Sequence, residues 1–276
     1  MTRNPHPRKE LGQFFLRNRE IARLMAEAIP TDSLVLEIGP GDGSLTSALL
    51  DSNHRVVGVE LDPALVAKLQ QRFQHRRDLA LIQSNILKLD WSELATHGEL
   101  NIAGNLPYHL TSPILFEVFE RVRASIPPAI WQMVIMVQRE VGRRLTAAAG
   151  SKEYGSLTLL TAWHGTADYL LSVPAEDFYP RPKVDGAVIR IRFHKAEESP
   201  PIDYESFRRL ARGCFAQRRK MMRNGIRVVN DLPTGWENLN YDFTRRPEDF
   251  SFAEYVQLAQ DLQRLAHSGT PSEIDK

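Results

Sequence analysis

The chain has 276 residues, 42 % of them hydrophobic, enough for a full core and for two domains. Its single cysteine, Cys214, excludes an internal disulfide and a cysteine-rich zinc site, and the eight histidines show no metal-ligand spacing of the H-E-x-x-H kind. No apolar run is long enough to span a bilayer, and Met1-Thr-Arg-Asn-Pro-His6 lacks a signal-peptide apolar region, so a soluble, cytoplasmic protein without a bound metal is expected.

In chain order, the first predicted element is a helix carrying Ile21, Leu24, Met25, Ala28 and Ile29 on one face, packed on a sheet. Leu34-Val-Leu-Glu-Ile38 follows, an apolar run broken by one carboxylate, as in a buried parallel strand. It runs into Gly39-Pro40-Gly41-Asp42-Gly43, and Ser44 to Leu50 reads as a helix. Strand, glycine turn and helix form the first unit of a nucleotide-binding α/β sheet. This is not the dinucleotide fingerprint, which needs glycine where Ser44 stands. A second strand, Arg55 to Val59, ends at Glu60, placed to accept hydrogen bonds from both hydroxyls of a ribose. Asp62, before Pro63, reads as the cap of a helix over 63–73. A third strand, Leu79 to Gln83, ends at Ser84-Asn85. Asn85 reads either as a turn residue or as an amide oxygen facing an adenine amine.

A fourth strand, Leu100 to Ala103, leads into Gly104-Asn105-Leu106-Pro107-Tyr108. Alone, this segment reads equally well as a strand-to-helix turn. Preceded by glycines, carboxylate and amide at three successive strand ends, it completes a ligand site on one edge of a parallel sheet. There the Asn105 side chain and the Leu106 carbonyl can accept both hydrogens of a ring-bound amine, Pro107 stiffens the turn and Tyr108 offers a stacking face. Accepting both hydrogens draws the amine lone pair out of the ring, so no general base is expected.

Further strands are predicted at 131–137, 168–173 and 187–193, with helices at 112–121, 139–147 and 156–164. Lys195-Ala-Glu-Glu-Ser-Pro-Pro201 is polar and proline-bearing and marks a domain boundary. Beyond it, 203–230 carries eight Arg and Lys against two acids, and 231–261 seven acids against two Arg. The apolar stripe Phe207, Leu210, Ala211, Cys214 and Phe215 has helical spacing, with Arg208, Arg209 and Arg212 off it and Arg218, Arg219 and Lys220 continuing the basic face. Such a face is either solvated surface or a phosphate-binding surface. Arg3, Arg8 and Lys9 form a second basic arm, and the tail from Ser268 is expected to be disordered.

The glycine loop, Glu60 and N-L-P-Y together resemble the class I S-adenosylmethionine-dependent methyltransferases that modify an exocyclic amine. Within them the chain resembles the ribosomal RNA adenine dimethyltransferases. Leu11-Gly-Gln-Phe-Phe-Leu16 resembles that family's G-Q-N-F-L cofactor loop. Val173 to Asp185 resembles its P-x-x-x-F-x-P-x-P-K-V-D segment, and Phe215 to Lys220, with Asn224, its F-x-Q-R-R-K motif. The departures are Phe14 for Asn, Asn85 for Asp, His109 for Asn and Gly186 for Ser.

The resemblance implies a Rossmann-like sheet with helices on both faces and a small all-helical C-terminal domain. It implies an arm and cofactor lid at 1–16, a methyltransferase domain at 17–194, a helical RNA-binding domain at 202–267 and a tail at 268–276. S-adenosylmethionine is then the implied cofactor, held by Phe14, Leu16, Gly39, Gly41, Glu60, Asn85 and Asn105. Asn105, Leu106, Pro107 and Tyr108 form the catalytic corner, and Phe178 either closes the second face of the base or is core. Arg181 and Lys183 hold flanking phosphates, and Arg218, Arg219 and Lys220 bind RNA. The implied activity is N6,N6-dimethylation of two adjacent adenosines in the 3′-terminal hairpin of 16S rRNA, within the immature small subunit, by a monomer. The alternatives are a 23S rRNA enzyme of the macrolide-resistance type, a DNA N6-methyltransferase and a non-catalytic assembly factor. F-x-Q-R-R-K and P-K-V-D favour the small-subunit type, and the usual D-P-P-Y of the DNA enzymes is missing.

Overall fold

A computed structural model of the chain describes residues 12–92, 94, 99–125, 129–229 and 232–268. The basic arm with Arg3, Arg8 and Lys9, and the tail after Ser268, lie outside these residues. The chain divides into two compact units, Met1–Gly142 with His164–Ala196, and Arg143–Trp163 with Glu197–Lys276.

In the first unit a short strand, β1 (Phe15–Leu16), precedes α1 (Arg19–Glu27). The α/β alternation follows as β2 (Leu34–Ile38), α2 (Ser44–Asp51), β3 (Arg55–Glu60), α3 (Pro63–Arg72), β4 (Leu79–Gln83), β5 (Glu99–Asn105), α4 (Thr111–Arg123) and β6 (Ala129–Gln138). After an excursion into the second unit come β7 (Gly165–Val173), β8 (Phe178–Tyr179) and β9 (Gly186–Phe193). Seven strands form one sheet in the order β4-β3-β2-β5-β6-β9-β7, while β1 and β8 pair separately. The run from β4 to β6 is parallel. β9 is antiparallel to both its neighbours, which the sequence did not signal, so the sheet is mixed.

All five residues of β2 are buried, which explains its unbroken apolar run: a strand covered on both faces has no solvent side to alternate toward. Val35, Val56, Ala103, Val134, Met136 and Val188 pack with α1 and α2 on one face. Their strand neighbours Leu36, Val57, Ile102 and Ile135 are buried on the other. In α1 the buried residues are Ile21, Ala22, Met25 and Ala26. Leu24 does not belong to that face: it is 38 % exposed, lying about 130° around the helix from the centre of the buried stripe. Asp62 caps α3 through the Ala64 N–H at 2.9 Å, with Pro63 in the first turn, as its position predicts.

The second unit holds α5 (Arg139–Leu145) from Arg143 onward, most of α6 (Ser156–His164), then α7 (Tyr204–Ala216), α8 (Met222–Ile226) and α9 (Phe252–Ser268). The second unit resumes at Glu197 and also takes in 143–163, which the sequence reading placed within 17–194; aromatic packing accounts for that grouping. Trp163 lies 4.6 Å from Phe207 and 5.4 Å from Tyr204, and Tyr154 lies 6.0 Å from Phe215, ring centre to ring centre. Phe207, Leu210, Ala211 and Cys214 are fully buried, as their spacing predicts, and burial pushes the Cys214 thiol up to about 12.

Candidate active site

Because β2, β3, β4 and β5 are parallel, their carboxyl ends share one edge of the sheet. The order reverses between β2 and β5, the crevice where such sheets bind ligands. A cavity of about 1130 Å³, counting solvent at its mouth, opens there. Phe14, Leu16, Gly39, Gly41, Glu60, Asn85, Asn105, Leu106, Pro107 and Tyr108, which the sequence singled out separately, all line it.

Glycine is required at two points. Gly39 has a φ of +69°, and no protein atom lies within 4 Å of where its Cβ would be, so the backbone itself faces the open cavity. A Cβ on Gly104 would stand 2.6 Å from the Ile38 carbonyl oxygen, so β5 approaches β2 this closely only without one. Beside them the buried Glu60 carboxylate accepts the Gly41 N–H at 3.0 Å and the Asp62 N–H at 2.9 Å, one on each oxygen. A lone pair on each oxygen stays available for a pair of vicinal hydroxyls. Burial raises its pKa, against the lowering effect of those N–H donors.

Asn85 fills the turn role, one of the two readings its sequence context offers. Its Oδ1 accepts the Leu87 N–H at 3.0 Å and caps the short 3₁₀ turn Ile86–Lys88. One lone pair of Oδ1 and the Nδ2 amide remain, so this contact leaves both the acceptor reading and a donor role toward a ligand open. Leu61, 46 % exposed, and Ile86 flank this end of the cavity with apolar surface. Sequence reading overlooked both, although each immediately follows a polar residue already singled out at a strand end.

At the other end, β5 extends two residues further than predicted, since Asn105 still pairs with Met136 of β6. Asn105 Nδ2 donates to the Phe14 carbonyl at 2.6 Å. A carbonyl only accepts, so this contact fixes the amide orientation and leaves Oδ1 as an open acceptor lining the cavity. The departure at position 14 is therefore harmless to this contact, which runs through the backbone. The Phe14 ring stacks on Tyr108 with centroids 5.3 Å apart and an interplanar angle of 28°. Burial, with the Asp185 charge second, pushes the Tyr108 hydroxyl up to about 12. No described residue donates to the Leu106 carbonyl.

Phe178 is 3 % exposed and packs in the core with Leu16, Met25 and Val188; it does not line the cavity, so the core alternative describes it. The Pro-Lys-Val-Asp segment is pinned by Asp185, whose carboxylate accepts from Arg139 at 2.6 Å and from the Ala175 N–H at 3.1 Å. Arg181 and Lys183 are exposed on that loop.

In the second unit the basic trio is not part of a helix face. α7 ends at Ala216, and Arg218, Arg219 and Lys220 occupy the following turn. Arg218 is half-buried, donating to the Ser151 carbonyl at 3.1 Å and lying 3.7 Å from Glu248. It is a structural tie within the unit, not a free cation. Arg219 and Lys220 are exposed and form no ion pair among the described residues.

A model of the ribosomal RNA adenine dimethylase family matches residues 5–238. The chain belongs to that family. It is 36 % identical over 268 residues to the ribosomal RNA small subunit methyltransferase A of Chromohalobacter salexigens, covering 94 % of this chain and 92 % of that protein. The protein of the same name from Saccharophagus degradans is 37 % identical over 259 residues, 92 % of this chain and 94 % of that protein. Among solved structures, a dimethyladenosine transferase from Plasmodium falciparum superposes with a TM-score of 0.73, covering 90 % of this chain and 97 % of that one at 22 % identity. The 23S rRNA methyltransferase ErmE gives 0.68 over 90 % and 99 %, also at 22 % identity. These two likenesses establish the Rossmann-like methyltransferase fold.

Family membership makes this chain an S-adenosylmethionine-dependent methyltransferase. The cavity suits that cofactor. The bare backbone at Gly39 admits a ligand, Glu60 has lone pairs for ribose hydroxyls, and Leu61 and Ile86 supply apolar surface for a flat base. Among the described residues no group of three or more His, Cys, Asp or Glu could hold a metal ion, and no helix is long and apolar enough to cross a membrane.

Proposed function

We propose that this protein dimethylates N6 of two adjacent adenosines in the 3′-terminal hairpin of 16S ribosomal RNA, as a cytoplasmic monomer acting on the immature small subunit. The observation that carries the reading is the Asn105 carboxamide, oriented by Phe14 so that Oδ1 is an open acceptor beside Tyr108 and the Leu106 carbonyl. Relatives named for the small subunit, at 36–37 % identity over nearly the whole chain, support that subunit over the large one.

S-adenosylmethionine, when bound, supplies a methyl group already activated on a sulfonium. The protein's work is to hold it and to present the amine. Glu60 receives the ribose hydroxyls, and the Asn85 carboxamide meets the adenine edge, its Oδ1 keeping a lone pair for the adenine amine. At the corner, Asn105 Oδ1 and the Leu106 carbonyl accept the two N6 hydrogens and draw the lone pair toward sp3 character. Tyr108 stacks on the target base, which must leave its own stack to reach it. No side chain at the corner is needed as a general base, because the proton leaves after the nitrogen has become cationic. In-line positioning supplies the rate, several kcal/mol of it. Arg181, Lys183, Arg219 and Lys220 bind phosphates.

The test is to incubate the protein with isotope-labelled S-adenosylmethionine and small subunits lacking the modification, then to map the labelled nucleoside by mass spectrometry. Dimethyladenosine in the 3′-terminal hairpin is the expected product. Label confined to 23S rRNA supplied in parallel, or no label with subunit binding retained, overturns the reading.

A further inference from the structure

One face of the β1–β8 ribbon is not used by the chemistry above. In an antiparallel pair, directly opposed residues share a face, and so do residues two apart on one strand. Leu16 and Phe178 are partners and both point into the core. Phe15 and Tyr179 are the other partners, so Phe15, Tyr179 and Arg17 carry the opposite face. Phe15 lies at the cofactor cavity. Tyr179, next outward, is 38 % exposed, with the Arg17 guanidinium stacked 4.4 Å over its ring. The ribbon is held firmly, by the Arg17 N–H on the Asp177 carbonyl at 2.7 Å and by Asn18 Nδ2 on Asp177 at 3.3 Å.

The cations around this ring are unlike the several arginines that are tied up in ion pairs. Arg23, Arg76, Arg121, Arg139, Arg190 and Arg245 each pair with a carboxylate. Arg17, Arg181 and Lys183 form no ion pair among the described residues, and all three are exposed. Two prolines, Pro180 and Pro182, stiffen the loop that carries the latter two. An exposed aromatic ring extended by a guanidinium, paired with the cavity-lining Phe15 and followed along the chain by the exposed Arg181 and Lys183, has the chemistry of a platform for an unpaired base.

We propose that Tyr179 and Arg17 form a stacking platform for an unpaired nucleobase next to the target adenosine, with that nucleotide's phosphates on Arg181 and Lys183. This rests on the reading that RNA is the substrate. The platform adds a second gripping point just outside the catalytic corner, so it acts on substrate binding and not on the methyl transfer itself.

The experiment uses the full chain with Tyr179→Ala, Tyr179→Trp and Arg17→Ala. It follows methylation of unmodified small subunits, S-adenosylhomocysteine binding by calorimetry, and anisotropy with hairpin RNA carrying or lacking a base beside the target adenosine. For Tyr179→Ala the KM for subunits rises about tenfold, while kcat and S-adenosylhomocysteine affinity are retained. Tyr179→Trp stays near the wild type, and Arg17→Ala shows a smaller rise. Removing the neighbouring base weakens hairpin binding to the wild type but makes little further difference to Tyr179→Ala. An unchanged KM, or equal losses from base removal in both proteins, overturns the platform alone. A wild-type protein that neither binds nor methylates RNA overturns the functional reading and the platform with it. A Tyr179→Ala protein that also loses S-adenosylhomocysteine binding makes Tyr179 a structural residue and overturns the platform.

Discussion

The two ends of the active-site cavity are built differently. At the cofactor end the polar groups are held over short stretches of chain, 2 residues in most cases and 19 for the Glu60–Gly41 contact. Glu60 is fixed by Gly41 and Asp62, Asn85 by Leu87, and Asp62 caps the helix that follows it. At the catalytic corner the contacts are remote. Asn105 is oriented by Phe14, 91 residues away, Tyr108 stacks on that same residue, and the strand carrying Phe14's neighbours pairs with β8 beyond residue 177. The cofactor end can form with the first half of the sheet, whereas the corner needs the arm and the β8 ribbon in place. Residues 14–17 join the ends: Phe14, Phe15 and Leu16 line the cavity, Phe14 orients Asn105, and Arg17 stacks on Tyr179.

This division can be broken from either side. The largest binding effect belongs to Glu60. Its replacement by Ala removes charge-assisted acceptors and should weaken S-adenosylhomocysteine binding roughly 10- to 100-fold by calorimetry. Unchanged affinity would remove Glu60 from the cofactor site. Next comes the second unit, where Arg219→Ala with Lys220→Ala should lower the slope of log affinity against log salt for subunits by about 1–2 at an unchanged melting temperature. Arg218→Ala should instead lower the melting temperature, because it leaves Glu248 without its cation. If the two sets behave alike, the turn is not split into a structural and a binding part.

A smaller effect concerns the floor of the cofactor end. Glu37 is fully buried and accepts the Thr46 hydroxyl at 2.6 Å; burial raises its pKa to about 8 from an ordinary 4.5. The folded chain therefore keeps a proton that the unfolded chain releases above 4.5. The resulting stability is complete below about pH 4.5 and is lost as pH rises through about 8. Glu37→Gln should flatten this part of the profile, changing the slope by at most about 1.4 kcal/mol per pH unit in denaturant titrations. An unaltered slope would mean that Glu37 ionises freely in the folded protein. Smallest of all, Phe14→Asn retains the backbone carbonyl and loses only a ring stack, so kcat/KM should change by less than about tenfold. A collapse of activity would show that the ring, not the carbonyl, supports the corner.

What could be read from sequence follows the same contrast. The strands β2 to β5 and their terminal glycines, Glu60 and N-L-P-Y were legible because each signal is local: an apolar run, then a turn carrying the functional side chain. The capping role of Asn85 was legible as an alternative, since asparagine before a turn carries both readings. Three things were not legible. The grouping of Arg143–Trp163 with the C-terminal unit depends on Trp163 and Tyr154 meeting α7 across some 40 to 60 residues. The burial of Phe178 and the exposure of its neighbour Tyr179 follow from a two-residue strand whose partner lies at the other end of the chain. Arg218 looked like its basic neighbours until its contacts with Ser151 and Glu248 set it apart.

The account turns on Asn105 acting at the amine while the cofactor is held mainly elsewhere. Single-turnover methylation of unmodified small subunits by Asn105→Ala, with S-adenosylhomocysteine affinity measured on the same preparation, tests this most directly. The rate should fall about 100-fold or more, with affinity for S-adenosylhomocysteine and for the subunit reduced far less. Methylation at the wild-type rate, or a loss of rate wholly matched by a loss of cofactor affinity, would contradict it.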